Sequence, residues 1–264
     1  MFRQEIGQNN GNRPFRILAL NGGHVLQEDA YWRFVLPPIT KGYADAQIDD
    51  YGLYHRRRFY PWQQGVRLSL QARFSHSAGI LKGTAGFGFW NAPFGDPTIR
   101  WPALPQAVWF FYASAPSDLP LALQGAGRGW FVATLDATTF SAVSLVPLAP
   151  LLLLLNQNQH LRSYIWPMIR QRLGISYAPL AVDMTAWHHY ALDWQGAGCS
   201  FYVDEALIWQ TPFSPRGPLG FVCWLDNQYM VAQVNGRFAS GTLPLSATQY
   251  MDVRELHVTP NSPN

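Results

Sequence analysis

The chain has 264 residues, 48% hydrophobic and only 13% charged, so it is too apolar for disorder and long enough for one large β domain. Nineteen Lys+Arg against sixteen Asp+Glu leave a net charge of +3, without the concentrated basic face that nucleic acid demands. Aromatics at 15%, with 22 Gly and 20 Pro, favour strands and turns over a helical bundle.

Residues 1–14 are polar and rich in Asn, Gln and Gly, which predicts a flexible arm, and 259–264 predict a flexible tail. The intervening 15–258 form a single domain with no period of the solenoid or propeller kind. The opening lacks the basic-then-apolar pattern of a secretory signal. Cys199 and Cys223 are too few for a disulfide framework or a cysteine zinc site. The expectation is a cytoplasmic protein with reduced thiols.

In chain order, strands are predicted at Tyr31–Leu36, Tyr43–Ile48 and Leu53–Tyr60. Val66–Ser75 alternates strictly, with Val66, Leu68, Leu70, Ala72 and Phe74 on one face and polar residues on the other. Thr84–Asn91 and Ala107–Tyr112 are apolar on both faces, as interior strands are. Trp187–Trp194, Ser200–Val203, Leu207–Trp209, Leu219–Leu225 and Met251–Val258 complete the set. One stretch differs. From Asn158 to Leu173 apolar residues recur at helical spacing, which predicts a helical insertion around 145–175, kinked or split at Pro167. Its leucine run, Leu145–Leu155, is broken by two prolines and is far shorter than the ~20 residues a spanning helix needs. With Arg162, Arg170 and Arg172 beside that run, the insertion suits a helix packed on the sandwich, a lid over a cleft, or peripheral membrane contact.

The stretch Trp187–Trp209 (WHHYALDWQGAGCSFYVDEALIW) resembles a hairpin of the concanavalin A-like lectin/glucanase superfamily, through Trp187, His188, Tyr190 and Trp194, then Phe201, Tyr202, Val203 and Asp204. Gly83–Pro93 (GTAGFGFWNAP) is similar to the strand carrying Phe-Trp in the same superfamily, family 16 glycoside hydrolases included. The resemblance implies an all-β fold, a two-sheet antiparallel jelly-roll sandwich whose concave sheet forms a ligand cleft. It also makes structural calcium conceivable, with Asp204 and Asp252 among the candidates; no metal or other cofactor is assigned.

The hydrolase pattern itself is missing. Those enzymes carry alternate carboxylates on the strand after the Phe-Trp strand, and retaining chemistry needs the two groups ~5–5.5 Å apart. Here that strand is PQAVWFFYA, with no acid. Asp45 and Asp49 would share a face of their strand, but their Cα atoms would be ~13 Å apart. Family 16 hydrolysis is therefore not expected.

The candidate ligand contacts follow from composition. Ala107–Tyr112 offers either Val108, Phe110 and Tyr112 or Ala107, Trp109 and Phe111 to a cleft, a platform for a sugar ring or a greasy molecule, or simply core filling. Trp224 to Tyr229 combines stacking rings with hydrogen-bonding side chains. Trp90 and Asn91, with Asp96 after them, form a weaker set. His188 and His189 point to opposite faces of a strand, which argues against a two-histidine metal site. His55 with Arg56, Arg57 and Arg58 suits an anion or a solvated surface. The leading expectation is binding of a glycan or glycosylated small molecule, with Trp90, Trp109, Tyr112, Trp224 and Tyr229 stacking and Asn91, Asp226 and Asn227 hydrogen-bonding. The alternative is an enzyme acting on a terpenoid, polyketide or lipid-linked sugar by isomerisation, cyclisation or elimination, with Asp226 or His189 as acid/base.

Overall fold

The computed structural model describes residues 5–8, 14–51, 53–54, 57–58, 60–93, 103–123 and 125–260. The first strands are β1 (Glu5–Gln8), β2 (Pro14–Leu20), β3 (His24–Gln27), β4 (Trp32–Leu36) and β5 (Asp45–Asp49). Then come β6 (Leu53–Tyr54), β7 (Arg57–Arg58), β8 (Val66–Phe74), β9 (Thr84–Trp90), β10 (Gln106–Ala113) and β11 (Gly129–Asp136). Helices α1 (Phe140–Val143), α2 (Ala149–Leu155) and α3 (Gln159–Arg172) interrupt the pattern. The chain ends with β12 (Ser176–Pro179), β13 (His188–Gln195), β14 (Gly198–Val203), β15 (Ala206–Thr211), β16 (Gly220–Asp226), β17 (Gln228–Ala232), β18 (Phe238–Thr242) and β19 (Gln249–Pro260).

Two antiparallel sheets face each other. One runs β1-β2-β5-β16-β9-β10-β11-β12 and the other β15-β14-β13-β8-β19-β4-β3. The all-β sandwich expected from the strand pattern is therefore present. β8 shows why it forms: Val66, Leu68, Leu70, Ala72 and Phe74 are buried, while the residues between them stay half-exposed. Against them, β9 and β10 turn Phe87, Phe89, Phe110 and Tyr112 inward, and β13 adds Tyr190, Leu192 and Trp194. Their rings interlock at tilted and edge-on angles, as in Phe87–Tyr190 at 5.2 Å. Cys199 and Cys223 are buried and unpaired, and burial pushes the Cys199 thiol up to about 12.

Several expectations shift. Glu5–Gln8 pairs with β2, so part of the anticipated arm is an edge strand. The helical insertion runs as three helices, and α3 passes through Pro167 as one element with Asn158 capping its start. β2, β3, β11, β12, β17 and β18 were not foreseen. His55, Arg56 and Asp96 lie outside the described residues, and of Arg57 and Arg58 only the backbone is described.

Candidate functional site

The strand order puts β5, β16, β9 and β10 side by side, and their outward faces make the floor of a groove of about 410 Å³. Alternation in GTAGFGFW decides the floor's character. Phe87 and Phe89 point to the core, leaving Gly86 and Gly88 on the groove side. A Cβ on Gly86 would lie 2.3 Å from the Phe110 carbonyl oxygen and 2.9 Å from the Trp224 ring. A Cβ on Gly88 would lie 2.6 Å from that of Trp109. The two glycines thus leave room for large rings to approach the sheet closely. Trp109 and Phe111 on β10, Trp224 on β16 and Trp90 on β9 fill that space. Trp109 stands 5.9 Å from Trp90, 5.9 Å from Trp224 and 5.0 Å from Phe111, centre to centre. Polar anchors fix two of them: Trp224 Nε1 donates to Thr84 Oγ1 at 2.9 Å, and Trp90 Nε1 to the Tyr51 hydroxyl at 2.7 Å.

One rim is the β17–β18 hairpin, which contributes Gln228, Tyr229, Met230, Ala232 and Phe238; the other lining segment there is Ser117–Leu121. The two are tied together by Asp118 N–H to the Met230 carbonyl and Ala232 N–H to the Asp118 carbonyl, both 2.9 Å. The helical insertion does not line the groove. It packs beside it, with Trp166 and Leu173 against Phe131, Ala133 and Ile175.

The groove has a polar end, where sequence reasoning missed the decisive contact. Asp45 on β5 and Asp226 on β16 are directly opposed cross-strand partners, and both line the groove. Side chains so placed have Cβ atoms ~4.5–5.5 Å apart. The search for acids spaced along one strand could not see a pair formed between strands. Asp45 was weighed only against Asp49, which is engaged bidentately by Arg16 and accepts from Gln47 at 2.8 Å. The expectation of a groove without two neighbouring carboxylates is corrected here.

The two acids have different surroundings. Asp226 Oδ1 accepts from Thr84 Oγ1 at 2.8 Å, Thr84 N–H at 3.2 Å and Gln228 N–H at 3.0 Å. Its Oδ2 accepts from Gln228 Nε2 at 3.2 Å and the Tyr43 hydroxyl at 3.5 Å. Burial pushes it up to about 6, against the pull of those donors. Both Asp45 oxygens are buried with no hydrogen-bond partner. Burial, then the Asp226 charge, drives Asp45 well above the usual carboxylate range. Burial and the neighbouring charge thus oppose ionisation of both acids at once. The same burial, followed by the two aspartates, raises Tyr43.

Of the expected ligand contacts, Trp90, Trp109, Trp224, Asp226 and Tyr229 line the groove together. Tyr112, Asn91 and Asn227 are not among its lining. Tyr112 faces the core and donates to the Leu81 carbonyl at 2.7 Å. Asn91 bridges the Leu104 carbonyl (2.9 Å) and the Gln106 N–H (3.0 Å). Asn227 is spent on backbone groups of Gly42, Ala44 and Leu243. His189 stands on the other sheet, 2.9 Å from Ser69 Oγ and 2.8 Å from Glu205. His188 pairs with Asp204 at 2.6 Å, and Asp252 with Arg33 and Arg73. Among the described residues no three His, Cys, Asp or Glu gather as a metal site would require.

Against solved structures, the chain superposes on the GlcNAcα1-4Gal-releasing endo-β-galactosidase of Clostridium perfringens with a TM-score of 0.50 and 12% identity, covering 98% of this chain and 61% of that one. The fold is a two-sheet antiparallel jelly-roll sandwich. The chain spans about 61% of the galactosidase's length. Two further solved structures that it resembles are a Bacillus licheniformis β-glucanase and a pseudo β-1,3-glucanase of Mycobacterium tuberculosis. The first is 13% identical over 97% of this chain and 89% of that one, TM-score 0.43. The second is 11% identical over 99% of each, TM-score 0.46. No family model matches the sequence, and no curated protein matches it.

Proposed function

We propose that the groove binds a glycan or glycosylated small molecule, its rings stacked on Trp109, Trp90 and Trp224 and its hydroxyls meeting Asp226 and Gln228. The observation that carries this is the glycine-underlaid aromatic floor: rings laid across a sheet face desolvate and stack a flat apolar face. The reading predicts that Trp109→Ala weakens binding on a glycan array by about tenfold or more. Trp224→Phe, which keeps most of the packing, weakens it less. Unchanged binding in both variants would reject it.

The paired aspartates favour a second reading, an enzyme on a hydrophobic or lipid-linked substrate. Two neighbouring aspartates in different surroundings, one held by five donors and one with bare oxygens, are the kind of pair whose acidities general acid/base work sets apart. Turnover of a screened substrate that Asp226→Asn leaves intact would count against this reading. The insertion bears on the same question. It exposes Phe140, Leu151, Leu154 and Tyr164, and no acidic residue interrupts 137–182. That suits an anionic membrane surface, and co-sedimentation with phosphatidylglycerol vesicles tests it.

A further inference from the structure

The groove is acidic at one end and has nothing of its own to balance that acidity. Among the described residues its lining holds Asp45 and Asp226 and no lysine, arginine or histidine. Arg16, whose field reaches Asp45, is held bidentately by Asp49. Buried carboxylates are otherwise paired or hydrogen-bonded, because an isolated one costs several kcal/mol of desolvation. Asp45 breaks that rule at the bottom of a groove, where a ligand can reach what the chain leaves open.

We propose that the groove selects a ligand bearing a protonated amine, with the ammonium seated between Asp45 and Asp226 and the body of the molecule lying on the tryptophan floor. This rests on the small-molecule-binding reading given above and narrows its ligand class. An ammonium carries three donors and no acceptor, which matches what is missing. Two can serve the bare oxygens of Asp45. The third can serve Asp226 Oδ2, whose present donors are long at 3.2 and 3.5 Å. Oδ1 of Asp226, with three donors, needs nothing more. The floor adds to the preference, since the faces of Trp and Phe rings attract cations. A hydroxyl or an acetamide in the same place offers one N–H or O–H and no charge. It brings nothing to offset the charge of the two aspartates.

The arrangement also makes a proton count. The titratable and charged groups facing Asp45 are Asp226 across the strand pair, Tyr43, and Asp49 with Arg16 further along the sheet. With none of these supplying a free cation, burial and the Asp226 charge favour the protonated form of Asp45 in the unliganded groove. An arriving ammonium replaces that proton, which passes to buffer.

Titration calorimetry of the full chain at pH 7 tests this with two matched pairs: chitosan tetramer against its fully N-acetylated counterpart, and phenethylamine against phenethyl alcohol. The amine member of each pair should bind about tenfold or more tightly than its neutral mate. Repeating the amine titration in phosphate and in Tris should reveal up to one proton released per ligand. Asp45→Asn, checked for folding by circular dichroism, should erase the gap within each pair and the proton release; Asp226→Asn serves as a second variant. If both sugars bind alike and the phenethyl pair shows no gap, the amine inference falls while the glycan reading survives. If only the phenethyl pair binds, with the amine preferred, the inference stands and the glycan reading falls. No binding by any of the four overturns the inference.

Discussion

Among the described strands, Asp252, Asp193, Asp49 and Asp45 can be compared by the residue that stands opposite each on a neighbouring strand, and the groove floor and the outer face of the second sheet treat them differently. On the outer face Asp252 lies opposite Arg33 and Arg73, bonded to each at 2.7–2.9 Å. Asp193 lies opposite Arg67 there, at 2.7 Å. On the groove sheet Asp49 lies opposite Arg16, also at 2.7 Å. At the fourth position the partner of Asp45 is another acid, Asp226. The same lattice position is therefore built to stabilise in three places and left electrostatically open in one. A chain that supplies a guanidinium three times has the means to supply a fourth.

Breaking the comparison where it is strongest gives the largest effect. Asp49 has no exposed side-chain surface and Arg16 little, so Arg16→Leu leaves a buried carboxylate without its guanidinium. The loss should be about 3 kcal/mol, read by urea denaturation at pH 7. It should shrink towards pH 4 as the stranded carboxylate takes a proton.

Asp45→Asn should act in the opposite direction. Because Asp45's acidity is weakened on folding, its contribution is intact below the unfolded value near 4 and drains away as pH rises towards the folded one. The wild type must take up a proton to fold, and the asparagine variant need not. The two should match in stability at pH 4, and the variant should then gain by up to about 1.4 kcal/mol per pH unit through that window. A gap that stays flat with pH would show that Asp45 is not held in a dry, uncompensated place.

These two positions also show what a sequence can reveal. The buried face of β8 is local, encoded in neighbouring residues, and it came through with the right face inward, while GTAGFGFW came through as a strand whose Phe/Gly division of faces only the packing reveals. The ring-lined floor was half legible. Ala107–Tyr112 had to present one of two sets, and register alone put Trp109 out and Tyr112 in. The Asp45–Asp226 pair joins residues 181 positions apart, from 45 to 226, through a strand adjacency that no local spacing encodes. The β17–β18 rim escaped for a related reason. Its Gln, Tyr and Met read as a strand end until the pairing with Ser117–Leu121 gives them a partner.

Asp252→Ala comes next in size. It leaves Arg33 and Arg73 facing each other, but both guanidiniums reach solvent and lean on rings, Arg33 on Tyr250 at 4.4 Å and Arg73 on Trp187 at 4.9 Å. The expected cost is about 2 kcal/mol by thermal or urea denaturation, below that of Arg16→Leu because water takes over part of the lost pairing.

The smallest effect should come from Arg67→Gln, and it is the sharpest control. Its bond to Asp193 is 2.7 Å, the same length as Arg16 to Asp49, and both are cross-strand partners in adjacent strands. What differs is water: the Arg67 and Asp193 side chains keep 36% and 21% of their surface exposed, against 15% and 0% for the other pair. In solvent the attraction is screened and the freed charge is hydrated, so the loss should stay near 0.5 kcal/mol and diminish further in 0.5 M salt, where the Debye length is only about 4 Å. Equal losses for Arg67→Gln and Arg16→Leu would mean that bond length rather than burial sets the energy of these pairs. The bare oxygens of Asp45 would then carry no special cost, and the reason for assigning them a ligand would go with it.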